Sequence, residues 1–558
     1  MPGVLALRNY RRQWLRADLL AGVVLAAILV PQGMAYAQLA GLPAVTGLYT
    51  TIACLVGYAL FGPSRVLVLG PDSSISPLIL AAITPLLAGG DSGRAIVLAG
   101  MLAILVGLTE VGLGLGKLGF VADLLSKEVQ VGYMNGLAVT IVVGQLPKLF
   151  GFSTAADSFT QEVRAFFDGI GQTHTTTLLV GLATLALLMA LPRIATRLPA
   201  VLMAVVAATV VSSAFGLAGK GVNTVGALPQ GVPSPQLPWT DAGDLGPLFV
   251  AAMGITLVSL TDTIATATSF AARRGEEVEP NQEMIGMGAA NVAAGLLQGF
   301  AVSTSGSRTA VAEQSGAKSQ VTGLVGASLV AVLLLFLSSL LADLPQATLA
   351  AIVIAAALSL MDLDVLRRYL RVRKSALAVS LVATAGVMLL GVLQGILVAV
   401  ALAILLFFRR SWWPHGAVLG RIVGVDGWHD VRARPDAEQL PDVVVYRWEA
   451  PLFFANAGTF REQLRKLARE RKPKWIVLQC EAITDVDVSA ADMLERLDDE
   501  LNAAGIHLAF VELRTRLQQL TLRYGLMDTL DRDHFYPTIE IALAQIESSE
   551  LASGAHYR

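Results

Sequence analysis

From about Leu19 to Phe408 the chain is a near-unbroken succession of apolar stretches. Two short polar segments interrupt it, Gly70-Pro71-Asp72-Ser73-Ser74-Ile75-Ser76 and Ser303-Thr304-Ser305-Gly306-Ser307-Arg308-Thr309. Such a region must be built from membrane helices, because ~20 apolar residues span a bilayer and every backbone polar group at that depth has to be bonded internally. Backbone that leaves helical form there is tolerated only where protein or a water-filled cavity receives the freed N–H and C=O groups. Breaks at corresponding places in two halves are the mark of a secondary transporter, whose half-helix N-termini meet near the bilayer midplane and favour an anion.

Composition agrees: of 558 residues 54% are hydrophobic and only 15% charged, with a mean hydropathy of +0.62, against roughly 25% charged in soluble proteins. A net charge of -2 specifies no partner, and none of nucleic acid is expected. Cys54 and Cys480 give no spacing for a disulfide framework or a zinc site. Arg8, Arg11, Arg12 and Arg16 precede the first apolar run, which reads as the first span because many more follow it.

Fourteen spans are expected, near 19–38, 44–61, 72–88, 94–116, 128–147, 173–191, 198–216, 246–271, 283–299, 305–315, 319–342, 346–361, 375–390 and 392–408. Pro229, Pro233, Pro235 and Pro238 make residues 217–245 an extended connection between two seven-span halves, about 1–216 and 246–410. Seven is odd, so the second half is inverted relative to the first. With fourteen spans, Arg65, Lys117, Lys127, Arg193, Arg197, Arg273, Arg274, the basic run Arg367 to Lys374, Arg409 and Arg410 all fall on the side of the N-terminal arginines. The positive-inside rule then puts both termini in the cytoplasm, in a bacterial inner membrane.

After Arg410 the composition becomes that of a soluble α/β domain: a linker over 411–440, a domain over 441–550 and a tail over 551–558. Strands are expected over Val443–Asn456, Trp475–Glu481 and His507–Leu513, and helices over Thr459–Arg471, Ser489–Ala504 and Arg516–Tyr524. Helices should cover a small sheet.

The first break places Asp72, Ser73 and Ser74 in the first turn of span 3; the second opens span 10 with Thr304, Ser305, Gly306 and Ser307, to which Arg308 adds a full positive charge. Small residues let backbone amides reach an anion, and each helix N-terminus supplies roughly +0.5 elementary charge. Asp72 opposes an anion unless it caps its own helix. Gln32 and Tyr36 follow Pro31 in span 1 and lie one turn apart.

Asp262 lies within Leu257–Thr266, where an ionised carboxylate is functional by default. Thr266, four residues on, shares its helical face. The two could ligate a small cation such as Na⁺, Asp262 could carry H⁺, or Asp262 could pair with Arg308. Glu110 and Glu313 read as interfacial. Gly114 to Gly119 matches a dinucleotide pattern but ends an apolar helix, and the calcium-loop spacing from Asp485 fails at Ala490 and Arg496. No Walker A sequence supports an ATP-driven pump.

Taken jointly, Val30-Pro31-Gln32-Gly33-Met34-Ala35-Tyr36-Ala37, Gly70-Pro71-Asp72-Ser73, Asn281 to Asn291 and Ser303 to Ala310 resemble the sulfate permease (SulP) family of anion transporters over nearly the whole chain. The tail is similar to that family's STAS domain. The resemblance implies inverted seven-span repeats forming a core domain (spans 1–4 and 8–11) and a gate domain (the other six), a homodimer, and substrate between spans 3 and 10 beside Gln32, Tyr36, Ser73, Ser307 and Arg308. Coupling-ion contacts are expected from Asp262, Thr266, Ser305 and Gly306. Many relatives carry Glu in place of Asp262, and Asp with Thr266 looks more like sodium-dependent bicarbonate carriers.

Ser489 matches the phosphorylatable serine of anti-sigma-factor antagonists, although with Asp492 three residues on it also resembles a helix cap. A cytoplasmic partner or nucleotide at the STAS domain stays open. The leading expectation is a cation-coupled carrier, without enzymatic activity or cofactor, that moves sulfate, bicarbonate or a dicarboxylate by displacing core against gate. An anion sensor signalling through the STAS domain and an uncoupled channel are the alternatives.

Overall fold

The computed structural model describes residues 1–87, 91–120, 126–154, 158–194, 199–530 and 532–554, so Arg197 and the last four residues of the tail lie outside it. The chain divides into two compact units, Met1–Ala403 and Ile404–Arg558.

Each of the fourteen expected spans is a helix. The first seven are Leu15–Leu39, Ala44–Phe61, Ser76–Ile83 with a 3-10 turn to Leu86, Ser92–Leu115, Lys127–Phe150, Thr175–Ile194 and Ala200–Ala214. The second seven are Ala242–Ala272, Pro280–Leu296, Gly306–Gln314, Val321–Phe336, Gln346–Leu360, Lys374–Leu390 and Val392–Trp412. By length and composition eight of the described helices could cross a membrane alone. Spans 3 and 10 are short because each is half a helix, preceded by extended backbone.

Span 3 starts at Ser76, not Asp72. Asp72 Oδ1 accepts from Ser74 N at 2.9 Å and Ser74 Oγ at 2.7 Å, closing a turn ahead of the helix. The basic run after span 12 includes a further helix, Leu363–Val372, capped by Asp362. The proline-rich connection is extended, as expected. It lies along the membrane unit through Val225 N to Leu344 O, Gly226 N to Ala342 O and Gln236 N to Leu296 O.

Spans 1–4 and 8–11 pack on one another, spans 5, 6, 7, 12 and 13 form the second set, and span 1 meets spans 7 and 12 between them. A long seam in the core domain joins spans 4 and 9 through glycines seven residues apart. A Cβ on Gly107 would lie 2.5 Å from Gly288 O, one on Gly295 would lie 2.4 Å from Gly100 O, and one on Gly114 would lie 2.7 Å from Asn281 O. Three such levels allow backbone-to-backbone contact, the usual means of association where lipid removes the hydrophobic drive between helices.

The membrane unit has two short strands, Leu69–Gly70 (β1) and Ser303–Thr304 (β2), and the second unit holds a six-stranded sheet of order β4-β3-β5-β6-β7-β8. Its strands are Gly416–Ile422 (β3), Val425–Asp430 (β4), Val443–Trp448 (β5), Trp475–Gln479 (β6), His507–Val511 (β7) and Phe535–Tyr536 (β8). The 411–440 segment expected to be a linker is therefore largely an antiparallel hairpin, bonded to β5 through β3. Strand β5 ends eight residues earlier than expected, and the chain then turns into the helix Ala457–Arg471.

Alternation along the strands buries both sheet faces. Tyr446, Trp448, Leu478 and Phe510 meet the helices bearing Phe460 and Leu497, while Val445, Val477 and Ala509 meet Ile539, Ala542 and Leu543. Burial pushes the Cys480 thiol well above its ordinary pKa. The cap of helix Val488–Ala503 is Asp487, whose Oδ1 accepts from Ala490 N at 2.8 Å. Ser489 is therefore not the cap; it is exposed in the first turn, because the acidic residue two positions earlier already satisfies the helix end.

Candidate functional site

Two-residue strands bring the broken segments together. β1, Leu69–Gly70, pairs antiparallel with β2, Ser303–Thr304, with Gly70 opposite Ser303. The ladder extends through Ser305 N to Val68 O (3.2 Å) and Val68 N to Thr309 Oγ1 (3.1 Å). Backbone that would be orphaned in the bilayer is thus satisfied across the repeat interface. Each strand leads into a half-helix, so the N-termini of spans 3 and 10 come to one place.

Beside them lies a cavity of about 590 Å³. Core residues Gln32, Tyr36, Asp72, Ser73, Asp262, Thr304, Ser305, Gly306 and Ser307 form one wall; spans 6, 7 and 12 close the other with Leu188, Val201, Ile352 and Ala356. The core wall is polar, and the gate wall is apolar apart from Ser359.

Span 10 presents its N-terminus openly. Ser305 Oγ accepts from Arg308 N at 3.5 Å, and the first amides of the helix, at Gly306 and Ser307, have no partner inside it. A Cβ on Gly306 would meet nothing within 4 Å. Thr304 Oγ1 donates to Thr263 Oγ1 at 3.2 Å, tying β2 to span 8 next to Asp262.

Three expected residues stand elsewhere. Arg308 does not line the cavity: its side chain is 1% exposed and lies against Gly70, where a Cβ would come within 2.5 Å of Nη1. Its partner is Asp72, at 3.3 Å from Nη2 to Oδ2, which removes the alternative of an Asp262–Arg308 pair. Ser74 is buried in the Asp72 turn, and Thr266 is half-buried off the wall that Asp262 lines. Asp72 thus both braces its own turn and neutralises Arg308, so the region around the cavity carries less positive charge than the two segments suggest.

Glu110 is the main residue misread from sequence. It is fully buried in span 4, with Oε1 2.7 Å from Ser259 Oγ on span 8 and Oε2 2.8 Å from Asn291 Nδ2 on span 9. Asn291 Oδ1 in turn accepts from Val302 N at 2.7 Å, just before β2. The signal was a lone carboxylate between apolar residues on both sides, the same one that singled out Asp262. Glu283 is similarly buried, accepting from Tyr58 Oη at 2.6 Å and from Ser64 Oγ. Glu313 pairs with Arg274 at 3.0 Å, half-buried near the end of span 10, as an interfacial residue should.

Residues 15–383 match the sulfate permease family and 434–542 the STAS domain. A Mycobacterium tuberculosis protein named "Probable sulfate transporter Rv1739c" is 43% identical over 544 residues, covering 97% of each chain. A solved structure described as the overall structure of SLC26A9 superposes with a TM-score of 0.89, covering 99% of this chain and 93% of that one at 22% identity. The transmembrane domain of a cyanobacterium bicarbonate transporter, BicA, superposes with a TM-score of 0.62 at 24% identity, covering 71% of this chain and 98% of that one. At those identities the two structures establish the fold: two inverted seven-span repeats with a STAS domain. By sequence, the chain belongs to the sulfate permease family of membrane anion transporters.

Proposed function

We propose that this protein is a secondary active transporter of a small oxyanion, sulfate first and bicarbonate or a dicarboxylate next, driven by a cation gradient acting through Asp262. One observation carries the proposal: the open N-terminus of span 10 and the carboxylate of Asp262 share one wall of one cavity. Unsatisfied amides and the helix dipole attract an anion. A carboxylate facing the same space repels that anion until a cation neutralises it, which makes the two bindings interdependent. Sulfate leads because of the name of the tuberculosis relative.

H⁺ precedes Na⁺ as the coupling ion. Proton exchange needs only Asp262, whereas a sodium site needs several oxygens, and Thr266 stands ~6 Å further along the helix and off the cavity wall. The contrast between the polar core wall and the gate wall, apolar but for Ser359, favours movement of the core, with its anion, against the gate. Both termini lie in the cytoplasm on this reading, and the working unit is a homodimer.

The test is uptake of radiolabelled sulfate by proteoliposomes under imposed H⁺ or Na⁺ gradients. Wild-type protein should accumulate sulfate above equilibrium along one gradient. Asp262→Asn should only equilibrate it while still binding it. An Asn variant that concentrates sulfate as the wild type does would remove Asp262 from the coupling step, and wild-type binding without uptake would favour an anion sensor.

A further inference from the structure

We infer that Glu110 sits in the membrane as a protonated carboxylic acid and acts as a positioning residue, its O–H group joining span 8 and, through Asn291, the entry to β2 into one rigid wall behind the anion cavity. The inference rests on hydrogen counting. Val302 N–H can only donate, so Asn291 Oδ1 must accept from it and Asn291 Nδ2 must donate to Glu110 Oε2. On the other side, Ser259 Oγ lies 2.7 Å from Glu110 Oε1 and 3.2 Å from the Thr256 carbonyl oxygen. Ser259 has one hydrogen for these two contacts. Both are satisfied when Glu110 donates its O–H to Ser259 and Ser259 donates to Thr256.

Charge points the same way. Spans 3, 8 and 9 pack on span 4, and none of them contains Lys, Arg or His. Their titratable groups are Asp244, held by Arg94 at 3.1 Å, Asp262 on the cavity wall, and Glu283, bonded to Tyr58 and Ser64. The basic residue within span 4 itself is Arg94, ~24 Å along the helix. An ionised Glu110 would have no countercharge among the described residues, in a medium where an unpaired charge is strongly disfavoured. Asp262 lies three residues beyond Ser259 and Thr304 two beyond Val302, so the bond network ends one turn or less from two cavity-lining groups.

Infrared spectroscopy of the purified full chain in lipid tests the protonation, and sulfate uptake tests the positioning. The wild type should show a carboxylic-acid C=O stretch that is missing from Glu110→Gln. The Gln amide can donate to Ser259 and accept from Asn291, so this variant should keep uptake within about threefold of wild type, whereas Glu110→Leu, which strands both partners, should lose about tenfold or more. An unchanged acid band in Glu110→Gln would overturn the inference. So would loss of uptake in Glu110→Gln as deep as in Glu110→Leu at equal abundance. The positioning role rests on the transport reading, and the band does not: wild-type protein that takes up no sulfate would defeat that reading while the spectrum still decides the state of Glu110.

Discussion

Spans 3 and 10 occupy equivalent places in the two inverted repeats, yet their N-termini are chemically opposite. Before span 3, Asp72 folds one carboxylate oxygen onto Ser74 and offers the other to Arg308. At the start of span 10, Ser305 caps only the amide of Arg308, and Gly306 opens onto the cavity with no neighbour at its Cβ position. The positive end of one half-helix faces a negative charge of its own chain; the other remains available. On the proposed reading, inverted symmetry supplies the scaffold and its breaking supplies the site, with span 10 holding the ligand and span 3 holding span 10.

Two glycines test this division with the same added methyl. Gly70→Ala places a Cβ 2.5 Å from Arg308 Nη1 inside the β1–β2 ladder. It should reduce uptake by tenfold or more, about 1.4 kcal/mol or above, with lower thermal stability in the same preparation. Wild-type uptake and melting would mean that the close approach is not essential.

Arg308→Ala tests the same contact through stability. Removing one member of a buried pair costs about 3–5 kcal/mol, here by leaving Asp72 without its countercharge, and thermal melting should report it. Because the pair is structural, Asp72→Asn combined with Arg308→Gln should be milder than Arg308→Ala alone. Additive losses in the double-variant cycle would show that the two do not act as a unit.

Gly306→Ala should be smaller in effect. Helix formation tolerates Ala there, and the methyl enters open space, so folding should be unchanged while KM for sulfate rises about threefold, under 1 kcal/mol. Equal damage from Gly306→Ala and Gly70→Ala would erase the distinction between a ligand-facing and a load-carrying half. The smallest effect on transport is expected outside the membrane. Asp487→Ala removes a helix cap in the STAS domain, worth about 1 kcal/mol, and should lower that domain's unfolding midpoint with little change in sulfate KM.

Twelve of the fourteen spans were legible as apolar runs, and the short spans 3 and 10 through the broken segments that open them, because polar residues at that depth need a reason. Strands of two residues carry no periodicity, so the pairing of Gly70 with Ser303 could not be read from the chain. Neither could the choice of Arg308's partner: Asp72 is 236 residues away, and sequence offered Asp262 for that pair while reading Asp72 as a cap of its own helix. Glu110 was misplaced because its distance from the end of span 4 suggested an interface, whereas the glycine seam with span 9 buries it. In the STAS domain, the succession of strands and helices identified a small sheet covered by helices. The β3–β4 hairpin escaped notice because its outer strand, Val425–Asp430, has no buried residue to mark one face.

Binding of the anion at the N-terminus of span 10 is the central claim. A structure of the full-length protein with selenate, an electron-dense mimic of sulfate, measures that directly. Selenate should lie in the cavity within hydrogen-bonding reach of the Gly306 and Ser307 amides, with Arg308 still paired to Asp72. Selenate bound directly by Arg308 with the Asp72 pair broken, or found only away from span 10 at saturating concentration, would contradict it.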